Sequence, residues 1–419
     1  MYIEEVKRSQ NKLALRKNSS NFLRELNMQL TILKAVGLFP IVKQISDYEI
    51  EGPSHQNNIY STIIRGIIHS LTIFNLYSMF QRHSVEGFST ERETDNINQY
   101  IEIIITITTY TGTIILCSRH SNDFLNILRD ILKIDSSIEQ RYQVKVQNHC
   151  KFAQITVLGI FAVQLFLISL KFTSGDFTSS IQYLFFLFYA FQNCICSMFM
   201  ILLSALLQVV SQRFDFVNAI LEKFSYNMIE MKIEQRLFEE DVTFVFRLHN
   251  RLLIIFKLLN ESCSLMVALF MGYAFYSITT KTYNIFVEFT TYEVVSWVFL
   301  LDCFAWLAVN TTLLAILANI CGQATRKANT LQQVVAKIYG RNKDSQTIID
   351  KFLTKSIRQE VEFTAYGFFV VDNSTLFNIF SAVTTYLVIL IQFKELEETK
   401  VETPTTIRVP IPSNRTTAQ

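Results

Sequence analysis

Seven stretches of this chain are long and apolar enough to cross a bilayer, which leaves few folds open to it. They run near Tyr60–Phe80, Ile97–Cys117, Phe152–Leu170, Ile181–Val210, Ser262–Thr280, Val294–Ala318 and Ser374–Phe393. About 20 mostly apolar residues wound as a helix span the hydrocarbon core. Backbone polar groups in lipid must be satisfied within the segment, so spans of this length are read as helices. The first two spans carry several polar residues; the other five are clear as spans. Composition agrees: half of the 419 residues are hydrophobic and 18% are charged, where a soluble domain has about 25% charged residues. The expected fold is an all-α membrane protein with seven transmembrane helices. The N-terminus, "MYIEEVKRSQNKLALRKNSS", has no uninterrupted apolar core, so no cleavable signal is expected and the first span serves as an anchor.

Charge sets the expected orientation. Of 38 Lys and Arg residues, 29 lie before span 1 or in the connections after spans 2, 4 and 6. Only 8 lie on the other side, and Arg65 is within span 1. The positive-inside rule then places the N-terminus in the cytosol and the C-terminus outside. One glycosylation sequence, Asn414-Arg415-Thr416, falls in the outer tail. A G-protein-coupled receptor has the opposite orientation. None of the five prolines lies in a span, no Asp-Arg-Tyr closes span 3, and no Asn-Pro-x-x-Tyr closes span 7.

The expected domains follow. Residues 1–59 are a cytosolic N-terminal segment, in which Gln29–Lys43 is a short amphipathic helix at the inner membrane face, closed by Gly37 and Pro40. Residues 60–318 hold helices 1 to 6, with spans 4 and 5 continuing as helices through Ser211–Glu261, a stretch with no Gly or Pro. Residues 319–373 form a cytosolic helical anchor with a turn at Tyr339–Ser345 and an apolar face from Ile348 to Val361. That face requires a partner, either the same subunit or another. Asp372 and Ser374 are candidate N-caps for residues 374–393, the last span. Residues 394–419 are a polar extracellular tail, expected to lack order.

Several function classes are excluded. The near-neutral charge of +2 and the absence of a basic stripe give no nucleic-acid reading. The seven cysteines make no zinc-site spacing, and neither a metal nor a cofactor is expected. No His-Glu-x-x-His, phosphate loop or nucleophile elbow marks an enzyme. A secondary transporter would show internal repeats and Gly- or Pro-broken spans.

The last span ends "TTYLVILIQFK", with Gln392 at its next-to-last apolar position. An amide facing lipid costs free energy, so it must face protein or water. The residues alone leave both open: a hydrogen bond within the subunit or a water-filled pore.

The pattern Thr385, Tyr386, five apolar residues, Gln392, Phe393 resembles the signature that closes the seventh span of insect gustatory receptors. "AVGLFP" before span 1, the long inner connections and "GFFVVDNSTLF" before span 7 support the resemblance. It implies a ligand-gated cation channel of the plasma membrane, related to insect odorant receptors. Such channels are homotetramers or heteromers in lipid, opened by a small-molecule tastant and permeable to monovalent and divalent cations. The last span lines the pore, with Thr385, Ile389, Gln392 and Phe393 at the gate. A ring of apolar side chains can close a pore by dewetting, and a ring of amides can accept a partly hydrated cation. The ligand pocket is implied in the outer half of each bundle. Its candidates are Gln164 and Ser169 in span 3, Tyr183, Phe186, Tyr189 and Gln192 in span 4, Tyr273 and Tyr276 in span 5, and Trp297, Asp302 and Trp306 in span 6. Asp302 beside Trp306 would suit a hydroxyl or ammonium group; a carboxyl hydrogen-bonded to another span is the equal alternative. The motif has Leu387 where the sugar-sensing branch has Glu, which points to bitter or plant-derived compounds, with a fructose-type sugar as runner-up.

Overall fold

The computed structural model describes residues 22–39, 43–46, 49–52, 55–86, 93–144, 146, 151–174, 180–230, 235–291, 294–338 and 360–402. Two short helices, α1 (Phe22–Glu25) and α2 (Asn27–Ala35), lead into a small antiparallel hairpin, β1 (Lys43–Ser46) with β2 (Glu49–Glu51). Eight helices follow: α3 (His55–Glu86), α4 (Glu93–Arg119), α5 (Ser121–Tyr142), α6 (Lys151–Ser174), α7 (Ser180–Glu230), α8 (Gln235–Thr291), α9 (Trp297–Ile338) and α10 (Asn373–Glu402). Seven of them carry the expected spans. Helices α4, α7, α8, α9 and α10 are long and apolar enough to cross a membrane, and Ile155–Ser169 of α6 is a shorter apolar helix.

The expected continuation of spans 4 and 5 is present. Helices α7 and α8 are 51 and 57 residues long, roughly 75–85 Å at 1.5 Å per residue. They run beyond any bilayer and pack with α9 and α5 at one end of the bundle, here termed the anchor end. Polar side chains lock that end: Asn218 Nδ2 donates to the Lys327 carbonyl at 3.0 Å, and Lys327 pairs with Asp215 at 2.6 Å. Ring N His249 Nε2 lies 3.1 Å from the Ala328 carbonyl. Asn329 exchanges two hydrogen bonds with the Val361 backbone, and Asn260 accepts from the Thr364 N–H.

The sequence reading did not resolve α5 from its connection. Phe124, Ile127, Leu128, Ile131, Ile134 and Ile138 recur at helical spacing and are all buried. They press α5 onto α8, and Asp135 on the same helix reaches Arg213 of α7. Arg213 is fully buried. Its Nε and Nη2 donate to the two Asp135 oxygens at 3.0 and 2.7 Å, and Nη1 donates to the Val209 carbonyl at 3.1 Å. This bidentate, charge-assisted arrangement gives the buried guanidinium both a counter-charge and acceptors.

Three expectations need correction. The amphipathic segment before α3 stops at Ala35, not Lys43, and Lys43 begins β1. Gly37 ends it with φ +77°: its N–H bonds the Lys34 carbonyl, and the Leu38 N–H bonds the Leu33 carbonyl, a Schellman closure. Its Leu30 and Leu33 are buried in the protein core. Second, the last helix does not stop at Phe393; it continues to Glu402. The acidic and basic residues after Phe393 favour helix as well as any, and the end of apolarity marks the end of a span rather than of a helix. Residues 403–419, including Asn414, lie outside the described residues. Third, 360–372 is not helical: it folds back through a turn at Tyr366 and Gly367, closed by a bridge between Thr364 and Val370; residues 339–359 lie outside the described residues. Of the expected caps, Asp372 holds the position. Its Oδ1 accepts from the Ser374 and Thr375 N–H groups at 2.9 and 3.1 Å and from the Ser374 hydroxyl. The Ser374 hydroxyl first, then those N–H groups, hold the Asp372 carboxyl below its usual range.

Gly37 also lets α3 approach. A Cβ there would lie 2.9 Å from the Ser61 carbonyl oxygen. Gly37→Ala is therefore expected to cost about 1–2 kcal/mol for the left-handed backbone alone, and more for the displaced helix. A fall in the melting temperature of detergent-solubilised protein checks this; an unchanged temperature refutes the close approach.

Candidate functional site

At the end of the bundle opposite the anchor, five helices bring polar side chains into an apolar interior. Glu102 lies about three turns into α4 and Lys281 about three turns before the end of α8. Lys281 Nζ stands 3.1 Å from Glu102 Oε1 and 3.3 Å from Oε2. Tyr189 of α7 donates its hydroxyl to Glu102 Oε1 at 3.1 Å. The Tyr189 ring meets Trp306 of α9 edge-on at 5.9 Å between centroids. Tyr273 is buried in electrostatic contact with Tyr189, Glu102 and Lys281, and Asp302 of α9 is in electrostatic contact with Lys281. Tyr276 donates to the Asn98 carbonyl and Oδ1 at 3.3 and 3.2 Å. Gln192 Nε2 donates to Thr72 of α3 at 3.4 Å, and Asn310 Nδ2 donates to Ser277 at 3.1 Å.

The structure thus brings together Tyr189, Tyr273, Asp302 and Trp306, with Gln192 and Tyr276 on neighbouring polar pairs. Trp297 is apart from them, 71% exposed at the first turn of α9. Gln164 is buried on α6, and neither of its amide atoms has a hydrogen-bond partner among the described residues. The side chains of Tyr183 and Phe186 lie outside the described residues. Sequence reasoning missed Glu102 and Lys281. A carboxylate inside an apolar run was a usable signal for Glu102. Lys281 was counted in the connection after span 5, because Thr279-Thr280-Lys281-Thr282 ends that apolar run; the helix in fact continues to Thr291.

The last helix forms the second part of the candidate site. Its inward stripe packs on α8: Leu390 is buried with Tyr283 and Val287, and Tyr386 packs on Phe275 at 6.4 Å. Thr385, Ile389, Gln392 and Phe393 are exposed on the remaining surface. The Thr385 hydroxyl donates back to the Ser381 carbonyl at 3.1 Å. No hydrogen bond joins the Gln392 amide to any other described residue. Only 11% of the apolar window of α10 is buried inside the subunit, against 94% for α7. Helix α10 is therefore a peripheral helix that presents an amide outward.

These features belong to a multi-pass membrane receptor built from long helices. The chain belongs to the 7tm chemosensory receptor family, whose model matches residues 26–397; it binds small molecules as a chemoreceptor and is not an enzyme. Among its relatives is the gustatory and pheromone receptor 32a of Drosophila melanogaster, 44% identical over 90% of this chain and 86% of that protein. Gustatory receptor 68a of the same organism is 31% identical over 75% of this chain and 81% of that protein. The fold is similar to that of the insect olfactory receptor OR5 from Machilis hrabei, with a TM-score of 0.61 at 10% identity over 88% of this chain and 98% of that one. The same receptor in complex with eugenol gives a TM-score of 0.56 at 11% identity over 89% of this chain and 100% of that one.

Proposed function

We propose that this gustatory receptor is a tastant-gated, poorly selective cation channel, assembled as a tetramer around the exposed face of α10. The observation that carries the proposal is the outward-facing amide of Gln392 on a helix packed along one side only. Lipid would penalise that amide, whereas an aqueous pore shared by several copies would not. In this reading Ile389 forms the apolar constriction, Gln392 and Phe393 its outer ring, and Thr385 lies one turn deeper. The N-terminus is cytosolic, the anchor end lies in the cytosol, and Asn414 is outside.

The ligand site is the cluster around Glu102, Tyr189, Tyr273, Lys281, Asp302 and Trp306, extended by Gln164, Gln192 and Tyr276. An aromatic wall beside fixed charges suits amphipathic plant compounds of the bitter class. A pheromone is the second reading, because the 44% identical relative is named a gustatory and pheromone receptor. Expression of the chain alone, with calcium imaging against alkaloids, sugars and cuticular hydrocarbons, tests both the channel and its ligand class. The expected result is calcium entry to a plant alkaloid, a C-terminal epitope stained on intact cells and an N-terminal epitope stained only after permeabilisation. The reverse staining refutes the orientation and, with it, the channel.

A further inference from the structure

The residue directly after the Gln392-Phe393 pair is a lysine buried within the subunit. Lys394 is 4% exposed. Its Nζ donates to the Thr290 and Thr291 hydroxyls at 2.7 and 2.6 Å and lies 5.3 Å from the centroid of the Phe286 ring. These three groups are on the last two turns of α8, which ends at Thr291. The C-terminus of a helix carries partial negative charge on its unpaired carbonyls, so a cation placed there is stabilised by the helix itself. The aromatic face adds a cation–π contribution. One turn earlier, Leu390 packs between Tyr283 and Val287 of the same helix.

We infer that Lys394 is a positioning residue for the pore helix: its ammonium clamps the outer end of α10 to the C-terminus of α8 and so fixes the direction in which Gln392 points. The inference rests on the pore reading of α10. Two features give it functional weight. Gln392 is two residues before Lys394, about 200° around the helix, so holding Lys394 inward turns Gln392 outward. Helix α8 also carries Lys281, Tyr273 and Tyr276. A displacement of α8 at the ligand cluster therefore reaches α10 through a contact that resists both sliding and rotation. Lys394→Met keeps the length and apolar stem of the side chain and removes only the ammonium.

Substituted-cysteine accessibility tests the clamp without needing a ligand. Gln392→Cys is labelled on intact cells with the membrane-impermeant reagent MTSET, and its rate is compared with and without Lys394→Met at matched surface level. Lys394→Met removes two hydrogen bonds from a charged group; losing even one shifts a local equilibrium about tenfold or more, and a change of at least that order in labelling rate is expected. Lys394→Arg should return the rate toward that of Gln392→Cys alone. An unchanged rate overturns the clamp. No labelling of Gln392→Cys overturns the pore reading instead. In that case the clamp is still read from melting temperatures of Lys394→Met, of Thr290→Val with Thr291→Val, and of all three together in purified protein. The triple variant should be no worse than Lys394→Met alone; additive losses overturn the clamp.

Discussion

Asp135→Ala is expected to remove most of the folded receptor from the cell surface. The substitution leaves the Arg213 guanidinium fully buried between α5, α7 and α1, with its counter-charge gone. Removing one partner of a buried pair costs about 3–5 kcal/mol, since the survivor keeps its desolvation penalty. Such a loss is a large fraction of the roughly 5–15 kcal/mol that holds a typical protein folded. Replacing both partners, with Arg213→Met and Asp135→Leu, removes the charges together and should recover much of the surface level. Expression by flow cytometry, with thermal unfolding of the purified protein, checks the pair. A double variant as poor as Asp135→Ala would show that the geometry of the pair, and not its charge balance, matters.

The second large effect belongs to the opposite end of the bundle. Glu102→Ala takes from Lys281 its hydrogen-bonded counter-charge, leaving Asp302 as the remaining acidic group in electrostatic contact, and takes from Tyr189 its carboxylate acceptor. A loss of about 3–5 kcal/mol is again expected, seen as surface expression close to background. Lys281→Met should be milder, because the Glu102 carboxylate still accepts from the Tyr189 hydroxyl. The charge exchange Glu102→Lys with Lys281→Glu should restore part of the surface level. Equal expression of both single variants would place the pair in water and remove it from the candidate ligand site.

How much of this was legible beforehand depends on the range of the signal. Span-length apolar runs are local, and they placed α4, α7, α8, α9 and α10 without any tertiary information. The continuation of α7 and α8 was legible from apolar residues at helical spacing with no Gly or Pro between. Helix α5 carries an equally regular stripe, yet charged residues interleave it and the span-based reading passed over it. The end of α2 depends on one glycine in a left-handed conformation, a feature that competes with the apolar run through Phe39. At the candidate site, Tyr189, Asp302 and Trp306 stand out as polar or aromatic residues inside apolar spans. The pairing of Glu102 with Lys281 spans 179 positions and has no local trace. Lys394 was read as the first residue of the tail for the same reason: its partners are on another helix, about a hundred positions earlier.

Ion permeation through Gln392→Ala and Ile389→Ala tests the central claim most directly. Sodium, calcium and N-methyl-D-glucamine permeability, basal leak and surface level are recorded together for each variant. If the exposed face of α10 lines the pore, Gln392→Ala changes the permeability ratios at a normal surface level, because a ring of amides is lost. Ile389→Ala raises the basal leak more strongly, since a smaller apolar ring dewets less readily. Both variants keep the ligand response, as neither residue belongs to the cluster around Glu102 and Lys281. Unchanged selectivity and leak in two well-expressed variants would contradict the account and place the ion pathway elsewhere.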